Sequence, residues 1–113
     1  MDESIQKWLF DVKDAISEIE GYFVNYPMDF NKYKNNTLLK RAVERDLEII
    51  GEAVNRILKK QSDFPIKNAK RIVGLRNQII HTYDSISDEN IWAILLKHIP
   101  LLKSEIDRLI NKE

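Results

Sequence analysis

Apolar side chains recur every three or four residues along two long stretches of the chain, and that spacing leaves little choice of secondary structure. Ile5, Leu9, Val12, Ile16, Ile19 and Phe23 form one row, and Leu39, Val43, Leu47, Ile50, Val54 and Ile57 a second, with charged residues between them. A period near 3.6 gathers each row onto one face of a helix, whereas a half-buried strand needs strict alternation. The spacing predicts a first amphipathic helix that fades near Asn25, because Pro27 biases Tyr26 away from helical geometry. A second helix is predicted from a cap at Asn36 or Thr37 to about Lys60, and the stretch from Met28 to Asn36, which has no period, reads as a connecting loop.

Ser62 or Asp63 followed by Pro65 is a helix-start signal, since proline in a first turn forfeits no hydrogen bond, and it predicts a third helix over Ile66 to His81. Ser87-Asp88-Glu89 puts a cap and two acids at the positive end of a fourth helix, which carries Ile91, Leu95, Leu102, Ile106 and Leu109. Pro100 lies inside that helix and predicts a kink there. Three Gly and three Pro in 113 residues are too few for the turns of an all-β chain, and 43% hydrophobic residues suffice for one core. With no repeat or linker in sight, the expectation is a single all-α domain over residues 1–113, an antiparallel four-helix bundle.

Eighteen basic and eighteen acidic residues leave no global field that would announce a nucleic-acid binder, so any such function has to be local. The absence of cysteine removes disulfides, thiolate nucleophiles and Cys-ligated zinc, and suits a reducing compartment. The longest apolar run, the six residues Ile91 to Leu96, is far short of a membrane span, so no membrane association is expected. The acidic start Met1-Asp2-Glu3-Ser4 is unlike the basic start of a signal peptide, and a cytoplasmic location is expected.

The polar chemistry concentrates in one segment. From Phe64 to Tyr83 the charged residues are Lys67, Lys70, Arg71 and Arg76 with no acid among them, a local charge of +4 on a neutral chain. Within it, Arg76, Asn77 and His81 fall on the third helix, where Asn77 and His81 are i and i+4 neighbours, so the amide can orient the imidazole. The segment holds no acid to orient a serine-hydrolase triad, and phosphate chemistry suits it better. A guanidinium fork binds phosphate oxygens and stabilises charge on a pentacoordinate phosphorus, while an imidazole exchanges protons near neutral pH. Cleavage of RNA through its own 2'-hydroxyl requires those two functions and no metal. His81 and His98 are the two histidines, 17 residues apart, and no metal site or cofactor is expected. His98, among Leu95, Leu96, Ile99 and Leu101, reads as a structural imidazole.

Arg76-Asn77-x-x-x-His81-x-Tyr83, an R-x4-H-x-Y string, resembles the signature of HEPN-domain ribonucleases, and specifically of the HepT-like toxin family. The segment Val43 to Ala53 resembles the second helix of that family, and Leu95 to Ile110 its last helix, so the likeness runs over essentially the whole chain. The resemblance implies a HEPN-like helical domain that dimerises and cleaves RNA without metal, paired with a minimal nucleotidyltransferase antitoxin. It casts Arg76 and His81 as the catalytic pair, Asn77 as their polar companion, and Tyr83 as the residue that the antitoxin adenylylates. DNA, with no 2'-hydroxyl, is not an expected substrate. Lys67, Lys70 and Arg71 are candidate RNA contacts. The competing reading is a non-catalytic HEPN subunit that binds or dimerises alongside a nucleotidyltransferase.

Four further expectations concern single residues. Gly51, inside the second helix, is read as permitting a close helix approach or making room for a catalytic neighbour. Glu52 is read as a solvated or N–H-bonded carboxylate, with pairing to a basic side chain of the site as the alternative. Trp8 and Trp92 are expected as core or dimer-interface anchors. Tyr22, Tyr26 and Tyr33 are expected to pack in loops, with stacking on bases as the alternative.

Overall fold

The computed structural model describes residues 1–81 and 86–112, the side chain of His81 excepted. Helix α1 (Glu3–Asn25) starts where the Asp2 carboxylate accepts hydrogen bonds from the Ser4 and Ile5 amides at 2.8 and 3.1 Å, and it ends at Tyr26, which is extended ahead of Pro27. Helix α3 (Thr37–Lys60) is capped by Asn36, whose side chain accepts from the Leu39 amide at 3.0 Å. Between them the expected loop contains a further short helix, α2 (Phe30–Lys34), started by the Asp29 carboxylate on the Lys32 amide at 3.0 Å. One turn is too short to show a period; its anchor is a single residue, Tyr33, which is completely buried.

Helix α4 (Ala69–His81) begins three residues later than the proline signal implies. Pro65 sits in a run of turns instead, and Asn68, at φ 62°, occupies the left-handed region that Asn tolerates better than most residues before the helix begins. The last stretch of the bundle is α5 (Asp88–Ala93), a π-helical segment over Ile94–His98, and α6 (Ile99–Asn111). Ser87 caps α5 by accepting from the Asn90 amide at 3.1 Å, with Asp88 and Glu89 in the first turn, as expected. The irregularity expected at Pro100 takes the form of the π segment just before it: the Ile99 amide reaches back five residues to the Ile94 carbonyl. A proline has no N–H to give to the carbonyl four residues back and clashes with it, and a widened turn relieves that clash.

The architecture is the all-α bundle of the sequence reading, with no strand among the described residues. α1 packs on α3 and on α6, and α4 packs on α3. The two apolar rows meet in the core: Ile5, Leu9, Val12, Ile16 and Ile19 of α1 are buried against Leu39, Val43, Leu47, Ile50, Val54 and Ile57 of α3. Ile91, Leu95, Ile99, Leu102 and Ile106 close it from the other side. Ion pairs at 3.3 Å between Lys13 and Asp107 and at 2.9 Å between Glu20 and Lys103 set α1 and α6 antiparallel. Trp92 is half-buried and packs against Phe23, Phe30 and Tyr33, with ring centroids 6.0, 5.8 and 5.2 Å away, so it is the core anchor its spacing implied.

Helix α4 is different from the rest. Ala69 alone among its described side chains is buried, while Ile72, Val73, Leu75 and Ile79 are half-buried. It lies on α3 like a plank, with an open groove on each flank. One groove, of about 740 Å3, separates it from the α5–α6 stretch, and the other, of about 460 Å3, runs between α4, α3 and α1.

Candidate active site

The crossing of α3 and α4 is built around Gly51. A Cβ placed on that residue would lie 2.2 Å from the Cβ of Arg76, 2.9 Å from its Cγ and 3.3 Å from the Ile72 carbonyl oxygen. Only a residue without a side chain lets α4 come this close, so Gly51 permits the close helix approach read for it, and the side chain it makes room for is that of Arg76.

The next residue completes the arrangement. Arg76 Nη2 stands 2.8 Å from Glu52 Oε2, and its Nη1 donates to the Asn77 side-chain oxygen at 3.0 Å. The Glu52 contact is off-line for a hydrogen bond and acts as a charge pair. Glu52 Oε1 meanwhile accepts from Arg56 Nε at 3.1 Å, one turn along α3. One carboxylate thus holds two guanidiniums: Glu52 is N–H-bonded, through Arg56, and it also pairs with Arg76, the basic side chain of the candidate site. The Arg76 side chain is 24% exposed, and its buried Nε has no hydrogen-bond partner among the described residues. Arg56 is far more open, at 56%.

Glu52, Arg56 and Arg76 form a wall of the smaller groove, together with Arg45, Glu48, Ile80 and, from α1, Trp8 and Asp11. Trp8 therefore stands half-buried at a site edge. The arginines of the groove are each matched by an acid, since Arg45 pairs with Glu48 at 3.8 Å and Glu52 serves Arg56 and Arg76. The basic candidates at the start of the segment go elsewhere. Lys67 and Arg71 line the larger groove on the opposite flank of α4, with His98 and Arg108, and Lys70 is exposed without lining either. The Lys67 amide is tied to α6 by a 2.9 Å hydrogen bond to the Glu105 carboxylate. His81 is the last residue of α4, but its side chain and the whole of Tyr83 lie outside the described residues, as does the Asn77 contact expected for His81. Among the described residues no three His, Asp or Glu side chains converge on a point that would hold a metal ion.

A second polar cluster had no counterpart in the sequence reading. Asp46, 1% exposed on α3, accepts a 2.6 Å hydrogen bond from the Tyr22 hydroxyl of α1. Burial pushes its carboxyl up to about 7, with the Glu18 carboxylate adding to the effect and the Tyr22 hydroxyl and Arg45 opposing it. Tyr22 is raised in turn, by the Asp46 hydrogen bond first and by burial second. Tyr22 is thus a helix residue, not a loop one. Tyr26 is the exposed end of α1, and Tyr33 is core, its hydroxyl pushed up by burial.

Comparison with known proteins bears on what the crossing is for. The family model described as Ribonuclease HepT-like matches residues 12–109, from within α1 to near the end of α6. The chain belongs to the HepT-like ribonuclease family. A Methanocaldococcus jannaschii protein named "Putative RNase MJ1216" is 32% identical over 108 residues, covering 95% of this chain and 88% of its own. A second from that organism, "Putative RNase MJ1380", is 33% identical over 104 residues, 91% of this chain and 94% of its own. "Putative RNase TTE0752" of Caldanaerobacter subterraneus is 37% identical over 90 residues, 76% of this chain and 78% of its own. No solved structure matched. The crossing of α3 and α4 fixes Arg76, the arginine of the R-x4-H-x-Y string.

Proposed function

We propose that this chain is a metal-independent endoribonuclease of the toxin class, active as a homodimer and silenced when a partner nucleotidyltransferase adenylylates Tyr83. The observation that carries the reading is the Arg76 guanidinium, held in the wall of an open groove by Glu52 and Asn77, five residues before His81 in a HepT-like chain. In this reading His81 takes the proton from the 2'-hydroxyl of RNA, and the freed oxygen attacks the adjacent phosphorus. Arg76 stabilises the charge gathering on the phosphorane oxygens. The 5'-oxygen leaves with a proton, and the products are a 2',3'-cyclic phosphate and a 5'-hydroxyl. One imidazole cannot easily be base and acid in a single turnover, and a two-fold pair of chains supplies the second.

Several features support the reading without being needed for the chemistry. Leu96 and Leu101 of the α5–α6 stretch are 48% and 70% exposed, as a face that meets a second copy would be. Lys67, Lys70 and Arg71 would contact RNA phosphates away from the cleaved bond. AMP on Tyr83 would add a phosphate that competes for Arg76 and bulk that covers the groove.

The test is cleavage of single-stranded RNA in EDTA. Wild type should leave 2',3'-cyclic ends and spare DNA; His81→Ala should be inactive. Arg76→Lys should lose on the order of 100-fold, because a point charge cannot reproduce the planar fork. Full activity in His81→Ala, or strict dependence on a divalent ion, refutes the mechanism.

A further inference from the structure

The Arg76 contact draws in a residue that neither the sequence motif nor the proposed reaction uses. Arg56 lies 20 positions upstream, on a different helix, yet its guanidinium and that of Arg76 sit on the two oxygens of one carboxylate. Two like charges are held together there by a single Glu52, at the mouth of a groove that also presents the ring of Trp8. A phosphodiester offers the same thing as a carboxylate, two oxygens sharing one negative charge, to donors in a matching fork. Arg56 is over half exposed, so its side chain can turn from Glu52 to an incoming anion without uncovering a buried charge.

We propose that Arg56 and Arg76 form a two-guanidinium clamp for the RNA backbone, with Arg56 a second phosphate-binding residue and Glu52 the positioning residue that spaces the pair. The proposal rests on the ribonuclease reading for its ligand. Arg76 is fixed on three sides, by Gly51, Glu52 and Asn77, as suits the group nearest the reacting phosphorus. Arg56 is held by Glu52 and is otherwise open, as suits a contact that captures the strand. The ring of Trp8 provides a surface on which a base of the captured strand can stack.

The experiment separates binding from chemistry by measuring equilibrium binding of a 2'-O-methyl oligoribonucleotide, which cannot be cut, over a series of salt concentrations, alongside KM and kcat on unmodified RNA. Arg56→Ala should weaken binding by about tenfold or more, the loss of one charge-assisted contact. It should also flatten the dependence of log affinity on log salt by roughly 0.7, the value for one phosphate contact on a single strand. KM should rise while kcat changes little. Lys59→Ala, which removes an exposed charge from the same helix outside either groove, should leave both quantities at wild-type values. Glu52→Gln should keep the salt slope and lower kcat, since both guanidiniums remain but their spacing is lost. Wild-type affinity and slope in Arg56→Ala overturn the clamp even if the protein cleaves RNA. Weakened binding in Arg56→Ala with no cleavage by wild type supports the clamp and removes the ribonuclease reading. A wild type that neither binds nor cuts overturns both.

Discussion

Replacing Gly51 with alanine sets two physical effects against each other, and the structure decides which wins. Gly51 lies in the interior of α3, where helix propensity alone would reward alanine with about 1 kcal/mol. The added Cβ, however, would stand 2.2 Å from Arg76 Cβ, whereas carbon atoms in contact sit about 3.5 Å or more apart. Both atoms are fixed by backbone, so no rotamer change makes up the difference and α4 has to move off α3 by more than about 1 Å. Forcing extra atoms into a packed contact costs roughly 1–3 kcal/mol, and this overlap belongs at the top of that range. The net expectation is a loss of about 2 kcal/mol, or a fall in Tm of about 8 °C for a domain of this size. Activity should fall further, by on the order of 100-fold, because the displacement is carried straight to Arg76. Gly21 is the internal control: it lies in α1, a Cβ there meets nothing within 4 Å, and Gly21→Ala should raise Tm by a few degrees, for roughly 0.5–1 kcal/mol. Thermal melts by far-UV circular dichroism on the two variants, with RNA cleavage measured on each, decide the matter. A Gly51→Ala protein as stable as wild type would show that the tight crossing does not exist in solution.

Asp46→Asn should stabilise the protein in a pH-dependent way. The carboxyl is raised from 3.8 to about 7 in the fold, so its neutral form is favoured there, and the stability it contributes is present below about pH 4 and lost as pH rises to 7. Full ionisation would cost the fold on the order of 4 kcal/mol, an upper bound, while Asn stays neutral and can still accept from Tyr22. Urea denaturation should show the variant gaining on wild type between pH 4 and pH 8, and an equal difference at both ends refutes the buried-carboxylate account. Trp92→Ala should remove about 3 kcal/mol and release α2, since Phe30 and Tyr33 both pack on that ring; a near-UV circular dichroism spectrum that keeps its aromatic bands would count against this. After coexpression with a nucleotidyltransferase, intact mass should rise in steps of one AMP, and the increments should vanish in Tyr83→Phe. A label that maps to another residue removes Tyr83 from the proposal.

The long elements were legible because each carries its own periodic signal and its own cap. Asn36, Ser87 and the Tyr26-Pro27 stop are local chemistry, readable without a neighbour. α2 was not legible: its five residues earn their helical state by seating Tyr33 in a pocket made by other helices. The same distinction runs through the site. Arg76 and Asn77 lie side by side in sequence, so their grouping could be read directly, whereas Arg56 joins them through Glu52 from another helix. A Glu followed four residues later by Arg was the available hint for that pair. Asp46 also left a trace, an acid three residues after Val43 and four before Ile50, on the apolar face of its helix. Periodicity already separates Arg71 from Arg76, five residues and about 140° apart at 3.6 residues per turn; which groove each one faces, and that Lys67 ahead of the helix joins Arg71, is set by packing.

The antiparallel pairing of α1 and α6 makes the order in which this chain is strung together negotiable. Lys13 sits level with Asp107, so the first residue of α1 and the last of α6 emerge at the same end of the bundle, offset along the axis by only about 10 Å at 1.5 Å per residue. A splice of five or six flexible residues could bridge them. The exposed Tyr26 to Met28 stretch offers a place for new ends, because a break after Pro27 leaves both flanking caps whole: Tyr26, which ends α1, lies before it, and Asp29, which starts α2, just beyond. A chain opened between Pro27 and Met28 and closed at its old ends would begin with α2 and finish with α1. Gly51, Glu52, Arg56 and Arg76 would remain on one uncut length, so the crossing would survive a rearrangement that moves the chain's beginning.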